Sequence, residues 1–137
     1  MALTLKLEIA TPEGTVYSEN VELVRVPAVE GQMGVYPQHI RLMTKLIPGE
    51  LSFHRNGQDD FLAVGEGLVE VTGNRVSILT DMAVPAEEID EAKAEQERLR
   101  ADAQLHAQLS AKDLATVNAS LARCLAQLSV KRRSRKV

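Results

Sequence analysis

From residue 3 to residue 80 apolar and polar positions alternate in short runs, the period-two signature of strands that bury one face. Leu3, Leu5, Leu7 and Ile9 point one way, while Thr4, Lys6, Glu8 and Ala10 point the other. Thr11-Pro12-Glu13-Gly14 supplies a turn, Val21 to Val26 reads as a second strand stopped by Pro27, and Leu42, Thr44 and Leu46 lead into a turn at Pro48-Gly49. Leu51 and Phe53 alternate up to Asn56-Gly57, whose two residues both tolerate the positive φ of a tight hairpin. Leu62 and Val64 precede Gly65-Glu66-Gly67, and Leu68 to Val71, a Thr72-Gly73-Asn74 turn, then Val76, Ile78 and Thr80 complete the series. Short strands with a turn about every 8–12 residues predict an all-β sandwich or barrel of about ten short strands rather than βαβ units.

The period changes near Ala83–Glu87. All eight glycines and all five prolines lie at or before Pro85, and the 52 residues beyond contain neither. Both residues are costly inside helices, by roughly 1 and 3 kcal/mol, so their disappearance marks the start of helix. Ile89, Ala92, Gln96, Leu99, Ala103 and His106 follow a three-four spacing, as do Leu114, Val117, Leu121, Cys124 and Leu128. Ser110-Ala111-Lys112-Asp113 between them matches a helix start with the serine as cap. The prediction is an N-terminal β-sandwich over residues 1–85 and an antiparallel helical hairpin over 86–137. The first helix offers mainly Ile and Leu interrupted by Ala, Gln and His, so the seam between the helices holds by only a few kcal/mol.

Composition narrows the function. The chain has 137 residues, 45% of them apolar, as in an ordinary folded domain. No run reaches the roughly 20 apolar residues of a membrane span, so no direct membrane insertion is expected. The N-terminal residues lack the basic start and apolar core of a signal peptide, which predicts folding in the cytosol. The single cysteine, Cys124, excludes an internal disulfide and a cysteine metal cluster. His39, His54 and His106 show no ligand-like spacing, no nucleotide or hydrolase motif is present, and no catalytic residue, metal or cofactor is expected. Residues 1–86 carry six Lys/Arg against eleven Asp/Glu, whereas residues 131–136 concentrate five basic side chains. That run lacks the broad basic field and stacking groups of a nucleic-acid binder, so it is either a solvated terminus or a contact for an acidic partner.

Residues 30–49, Glu-Gly-Gln-Met-Gly-Val-Tyr-Pro-Gln-His-Ile-Arg-Leu-Met-Thr-Lys-Leu-Ile-Pro-Gly, resemble the Glu-Gly-x-x-Gly-(Val/Ile)-(Leu/Tyr)-Pro-x-His-Ala-Pro stretch of the epsilon-subunit family of bacterial F-type ATP synthases. Thr11-Pro12-Glu13, Gly65-Glu66-Gly67-Leu68-Val69-Glu70-Val71 and Ile89-Asp90-Glu91-Ala92-Lys93-Ala94 resemble further family stretches in the same order. Ile40-Arg41 stands where the family has Ala-Pro, and Gln38 where a glycine is frequent.

The resemblance implies a non-catalytic rotor subunit, peripheral on the cytoplasmic face of the bacterial inner membrane. It would couple ion flow through the c-ring to ATP synthesis and inhibit ATP hydrolysis through its C-terminal helices. It implies that Glu30, Gly31, Gln32 and Met33 form a loop facing the c-ring, and that Thr11, His39 and Thr44 face the gamma subunit. Gly31 and Gly34 are also explained by tight turns that need positive φ. Ile89, Asp90, Lys93, Ala94, Arg123 and Gln127 match an ATP-binding set of some relatives, with Lys93 and Gln127 standing for arginines, so any ATP binding would be weak and regulatory. Arg123, Lys131, Arg132, Arg133, Arg135 and Lys136 would transiently meet the β subunit, with α nearby, when the hairpin extends. Two other readings stay open, a nucleotide-sensing regulatory domain and a generic β-sandwich adaptor.

Overall fold

The alternating segment becomes ten strands in the computed structural model, which describes residues 3–107 and 110–135, the side chains of residues 134 and 135 excepted. In chain order they are β1 (Leu5–Thr11), β2 (Gly14–Val21), β3 (Leu23–Ala28), β4 (Gly31–Val35), β5 (Leu42–Leu46), β6 (Gly49–Arg55), β7 (Gln58–Val64), β8 (Gly67–Thr72), β9 (Arg75–Thr80) and β10 (Ala83–Pro85). Hydrogen bonding runs β10-β7-β6-β3-β5-β8-β9-β1-β2, with β4 on β3. The path is weakest between β3 and β5, joined by the single pair Ala28–Leu46, and there the sheet divides into the two layers of a sandwich. β1 runs parallel to β9 and antiparallel to β2; the other pairings are antiparallel.

Leu5, Leu7 and Ile9 of β1 meet Val69, Val71, Val76 and Ile78 of β8 and β9 in one core with Leu46, Leu51 and Phe53. It is built from Leu, Val and Ile, each buried side chain contributing about 1.5–3 kcal/mol. Tyr17 and Phe53, two of the few aromatics, pack with ring centroids 4.5 Å apart, and burial pushes the Tyr17 phenol up from its ordinary pKa.

Turn chemistry fixes the register. Asn56 and Gly57 both adopt positive φ, 54° and 78°, and close β6 onto β7 as a two-residue hairpin. Gly67 is required for a different reason: a Cβ there would overlap the backbone carbonyl of Leu79 on the neighbouring strand. Gly34, by contrast, does not adopt positive φ, and a Cβ on it would sit 3.9 Å from Leu23, an ordinary contact. The turn explanation therefore holds for Gly31, at φ 121°, and not for Gly34.

Four strand readings change. Leu3 lies before β1 and is exposed. β2 is absent from the alternation because only Val21, at its end, is buried. Pro27 does not stop its strand; the chain continues through it, and its carbonyl accepts from the Ile47 N–H at 3.0 Å. Residues 31–35 form β4 rather than a loop, and the turn is confined to Val29-Glu30.

After β10 a single 3-10 turn, Ala86–Glu88, leads to α1 (Glu91–Leu105) and α2 (Ala111–Arg135). Asp90 caps α1, its carboxylate accepting from the Lys93 N–H at 3.1 Å, and Ser110 caps α2 through the Asp113 N–H at 3.2 Å. The predicted stripe of α2 largely faces inward, with Val117, Cys124 and Leu128 buried. That of α1 does not: Ala92, Gln96, Leu99, Ala103 and His106 are exposed, and Ile89 is buried ahead of the helix. Ala94 and Ala101, two positions further round, turn inward instead. Their methyl groups let the larger side chains of α2 approach closely, so shape rather than apolar count selects the face.

Replacing Gly67 by alanine is expected to lower the unfolding free energy by at least ~2 kcal/mol, because backbone must move to admit the methyl group. Gly34→Ala should leave it within about 0.5 kcal/mol. Urea denaturation followed by circular dichroism distinguishes the two, and equal effects would contradict the packing described.

Candidate partner-docking surfaces

The outer face of β5, β8, β9 and β1 has an apolar end and a charged end. Cross-strand register places Lys45 opposite Leu68, Leu68 opposite Leu79, and Leu79 opposite Ala10. Leu68 and Leu79 are 49% and 59% exposed, large values for neighbouring leucines on one sheet. With Ala10, Thr11 and Pro12 they line a shallow groove of about 420 Å³, rimmed by Glu66 and Asp81. The next row along the face holds exposed Met43, opposite Glu70, and then Ser77 and Glu8, the last paired with Arg75.

A second surface is the β3–β4 hairpin. Glu30 lies in its turn, and Gly31, Gln32 and Met33 open β4. These four residues, with Leu42, Met43 and Thr44, border a cleft of about 290 Å³.

The predicted gamma-facing residues do not cluster. Thr11 lies in the Leu68–Leu79 groove, while Thr44, in β5, borders the cleft beside the β3–β4 hairpin. His39 lies near the far end of β8–β9, in a loop tied down by the Gln38 N–H donating to Asn74 Oδ1 at 2.7 Å. Its Nδ1 is 2.7 Å from the Ile40 carbonyl. Gln38, which stands where glycine is frequent in the family it resembles, has φ 66°, a left-handed conformation costly for a side-chain-bearing residue.

The third surface belongs to the helices. α2 lies on β6 and β7, where Ala126 and Val130 meet Ala63, Ala86 and Ile89. Polar contacts flank this apolar strip. Arg123 faces Asp81 at 3.9 Å, Gln127 Nε2 approaches Met82 Sδ at 3.2 Å, and Lys131 Nζ donates to the Ala86 carbonyl at 3.2 Å. Arg132 faces Glu95 of α1 at 3.8 Å, and Arg133 Nε pairs with Glu50 of β6 at 2.7 Å. Glu95 also takes hydrogen bonds from Arg98, which hold its carboxyl below its ordinary pKa and raise that of the guanidinium. Three of the basic tail residues thus contact the protein's own surface; Lys136 and the side chain of Arg135 lie outside the described residues.

The six residues of the sequence-derived nucleotide set divide. Arg123 and Gln127 line a cavity of about 380 Å³ between the helices and Met82, together with Glu97, Cys124 and Arg100, which the sequence reading did not single out. Ile89 and Ala94 are buried, Asp90 serves as helix cap, and Lys93 is exposed; none of these four borders the cavity. Arg100 shares the cavity because it lies one residue before inward-facing Ala101, a placement visible only once the true inner face of α1 is known. Cys124 donates to Glu97 Oε2 at 3.7 Å, and burial first, then the Glu97 charge, push its thiol up from the usual range. Among the described residues no cluster of His, Cys, Asp or Glu could hold a metal ion, and no helix is long and apolar enough to cross a membrane.

Residues 4–86 match the family model "ATP synthase, Delta/Epsilon chain, beta-sandwich domain", and residues 87–132 match "ATP synthase, Delta/Epsilon chain, long alpha-helix domain". The chain is 44% identical over 128 residues to an ATP synthase epsilon chain of Herpetosiphon aurantiacus, covering 93% of this chain and 94% of that one. It is 39% identical over 137 residues to the ATP synthase epsilon chain of Nitrosococcus oceani, covering 99% and 98%. Among solved structures it superposes with a TM-score of 0.80, at 25% identity, on a chain of the Euglena gracilis mitochondrial ATP synthase (OSCP/F1/c-ring), covering 92% of this chain and 79% of that one. A chain of the Tetrahymena thermophila mitochondrial ATP synthase central stalk and c-ring shares the fold, with a TM-score of 0.67 at 12% identity and coverage of 92% and 95%.

Because the Cys124 thiol is raised, its burial stabilises the hairpin fully below the ordinary cysteine pKa of about 8.5, and that stabilisation is lost as pH rises through the raised value. Thermal unfolding of the wild type should therefore lose more stability between neutral and alkaline pH than that of Cys124→Ala. Parallel pH profiles for the two proteins would contradict this.

Proposed function

The chain belongs to the ATP synthase Delta/Epsilon family, and on that footing we propose that it is the epsilon subunit of a rotor, coupling ion flow to ATP synthesis without chemistry of its own. The observation that carries the proposal is the exposed Leu68–Leu79 pair beside Thr11, with exposed Met43 in the next row, on a sheet face whose far end is charged. Apolar surface arranged in register at the edge of a groove gives a binding partner something to bury. We assign this face to the gamma subunit, and the β3–β4 hairpin, with Glu30 at its turn, to the polar loops of the c-ring. The two similar solved structures are of assemblies that include the c-ring, which supports assembly with it.

The hairpin is the regulatory part in this proposal. Docked on β6 and β7 it is compact; released, it presents its basic end to an acidic segment of the catalytic head, the β subunit with α beside it, and blocks hydrolysis. A two-state element of this kind needs a gap of only a few kcal/mol, and a small interface in which α2 contributes Ala126 and Val130 is suited to that scale. The protein would be peripheral on the cytoplasmic face of the inner membrane, held there by its partners. A second reading, nucleotide sensing, draws on the cavity of Arg100, Arg123 and Gln127. Lys93 outside the cavity, uncharged Gln127 and acidic Glu97 within it favour weak ATP binding, so titration calorimetry of the isolated protein should detect no micromolar affinity.

Leu79→Asp should weaken binding to purified gamma by roughly 10- to 100-fold while leaving the circular dichroism unchanged, since an exposed side chain is altered. Unchanged affinity in a pull-down or by interferometry would remove this face from the interface. Deleting residues 87–137 should leave ATP synthesis in membrane vesicles largely intact and raise ATP hydrolysis by the assembled enzyme. Hydrolysis unaltered by the deletion would defeat the regulatory assignment.

A further inference from the structure

We propose that Glu50 is the latch that sets the population of the docked hairpin, by holding the basic end of α2 where an acidic partner would otherwise hold it. The inference rests on the reading of the hairpin as a movable arm and names the residue that governs it.

Both carboxylate oxygens of Glu50 are engaged by α2: Oε1 accepts from the Ser129 hydroxyl at 2.6 Å, and Oε2 pairs with Arg133 Nε at 2.7 Å. Its side chain is 19% exposed, while those of the other acidic groups facing the basic side chains of α2 are more open, Asp81 at 50% and Glu95 at 35%. Those two pairs are also longer, 3.9 and 3.8 Å, beyond hydrogen-bond distance. An exposed, loosely spaced ion pair contributes almost nothing, whereas a partly buried carboxylate that accepts one hydroxyl hydrogen bond and pairs at 2.7 Å with Arg133, itself 58% exposed, contributes more. Leu125, Leu128 and Arg132 border the same hollow of about 500 Å³ beside Glu50, so the latch sits at the edge of a half-covered apolar strip.

Position completes the argument. Glu50 is in β6, close to the start of the strand, and its place is fixed by seven register pairs with β7. The groups it holds lie near the end of α2, where a helix frays first. The apolar dock beside them sets Ala126 and Val130 of α2 against Ala63, Ala86 and Ile89, with Phe61, Met82 and Val84 partly buried around it. The small side chains on the α2 side keep its adhesion moderate, so a charged contact at its edge can shift the balance. Removing the carboxylate frees Arg133 and Ser129 together and leaves the sandwich untouched. An acidic segment of a partner offers the same chemistry as Glu50, so release from Glu50 and capture by the partner are one exchange of carboxylates at Arg133.

The test is double electron–electron resonance between spin labels at Glu13→Cys and Asn118→Cys in a Cys124→Ala background. Wild-type Glu50 should give a dominant short distance with a minor long population. Glu50→Gln should raise the ratio of long to short by about tenfold. Arg133→Gln should do the same, and the two together should add little beyond either. Exchanging the charges, Glu50→Arg with Arg133→Glu, should restore the short distance, which a general loss of stability would not allow. If both populations exist but Glu50→Gln leaves their ratio unchanged, or its effect adds fully to that of Arg133→Gln, the latch is wrong and the movable arm stands. If one compact distance persists in every variant and at molar salt, the latch and the movable arm both fall.

Discussion

One contact governs the rest of the molecule, the seat of α2 on β6 and β7. It joins an element made of local hydrogen bonds to a sheet made of distant ones, through Ala126 and Val130 against Ala63, Ala86 and Ile89. The small side chains of α2 bring the backbones close but bury little area each, while Ile89, Phe61, Met82 and Val84 supply the larger apolar surface, so the seat is well shaped and moderately adhesive. α1 has no seat of its own on the sheet; it rides on α2, pressing Ala94 and Ala101 against it. Whatever loosens α2 therefore loosens both helices.

The sandwich is governed by a different constraint. Its core residues lie on most of its strands, and its tight places are backbone approaches such as Gly67 against Leu79. One continuous core ties the two layers together, which suits a part that transmits force through its surface. The two halves thus divide rigidity and movement between them. Asp81 belongs to both, lining the Leu68–Leu79 groove on one side and facing Arg123 on the other.

Much of this was legible in the chain. Alternation located β1 and β6 to β9, Asn56-Gly57 located a hairpin, Ser110 located a helix start, and the last proline coincides with the end of the last strand. β2 was not legible because a strand that buries one residue in eight carries no pattern. β4 was hidden by two glycines and read as a loop. The inner face of α1 was misread because apolar side chains were counted, whereas the neighbouring helix selected alanines for closeness. Of the candidate surfaces, the β3–β4 hairpin and the basic tail were visible as motifs. Glu50 and Arg100 were not, since each gains meaning only from a helix packed next to it, distant in sequence for Glu50 and across the hairpin for Arg100.

Native-state hydrogen exchange tests the division between a rigid body and a detachable arm most directly. The amides of α2 around Ala126–Val130 should exchange through an opening that needs only a few kcal/mol, well below that required by β1, β8 and β9. Exchange of helix and core amides with one common free energy would mean a single cooperative unit, and would contradict the two-part mechanism at its root.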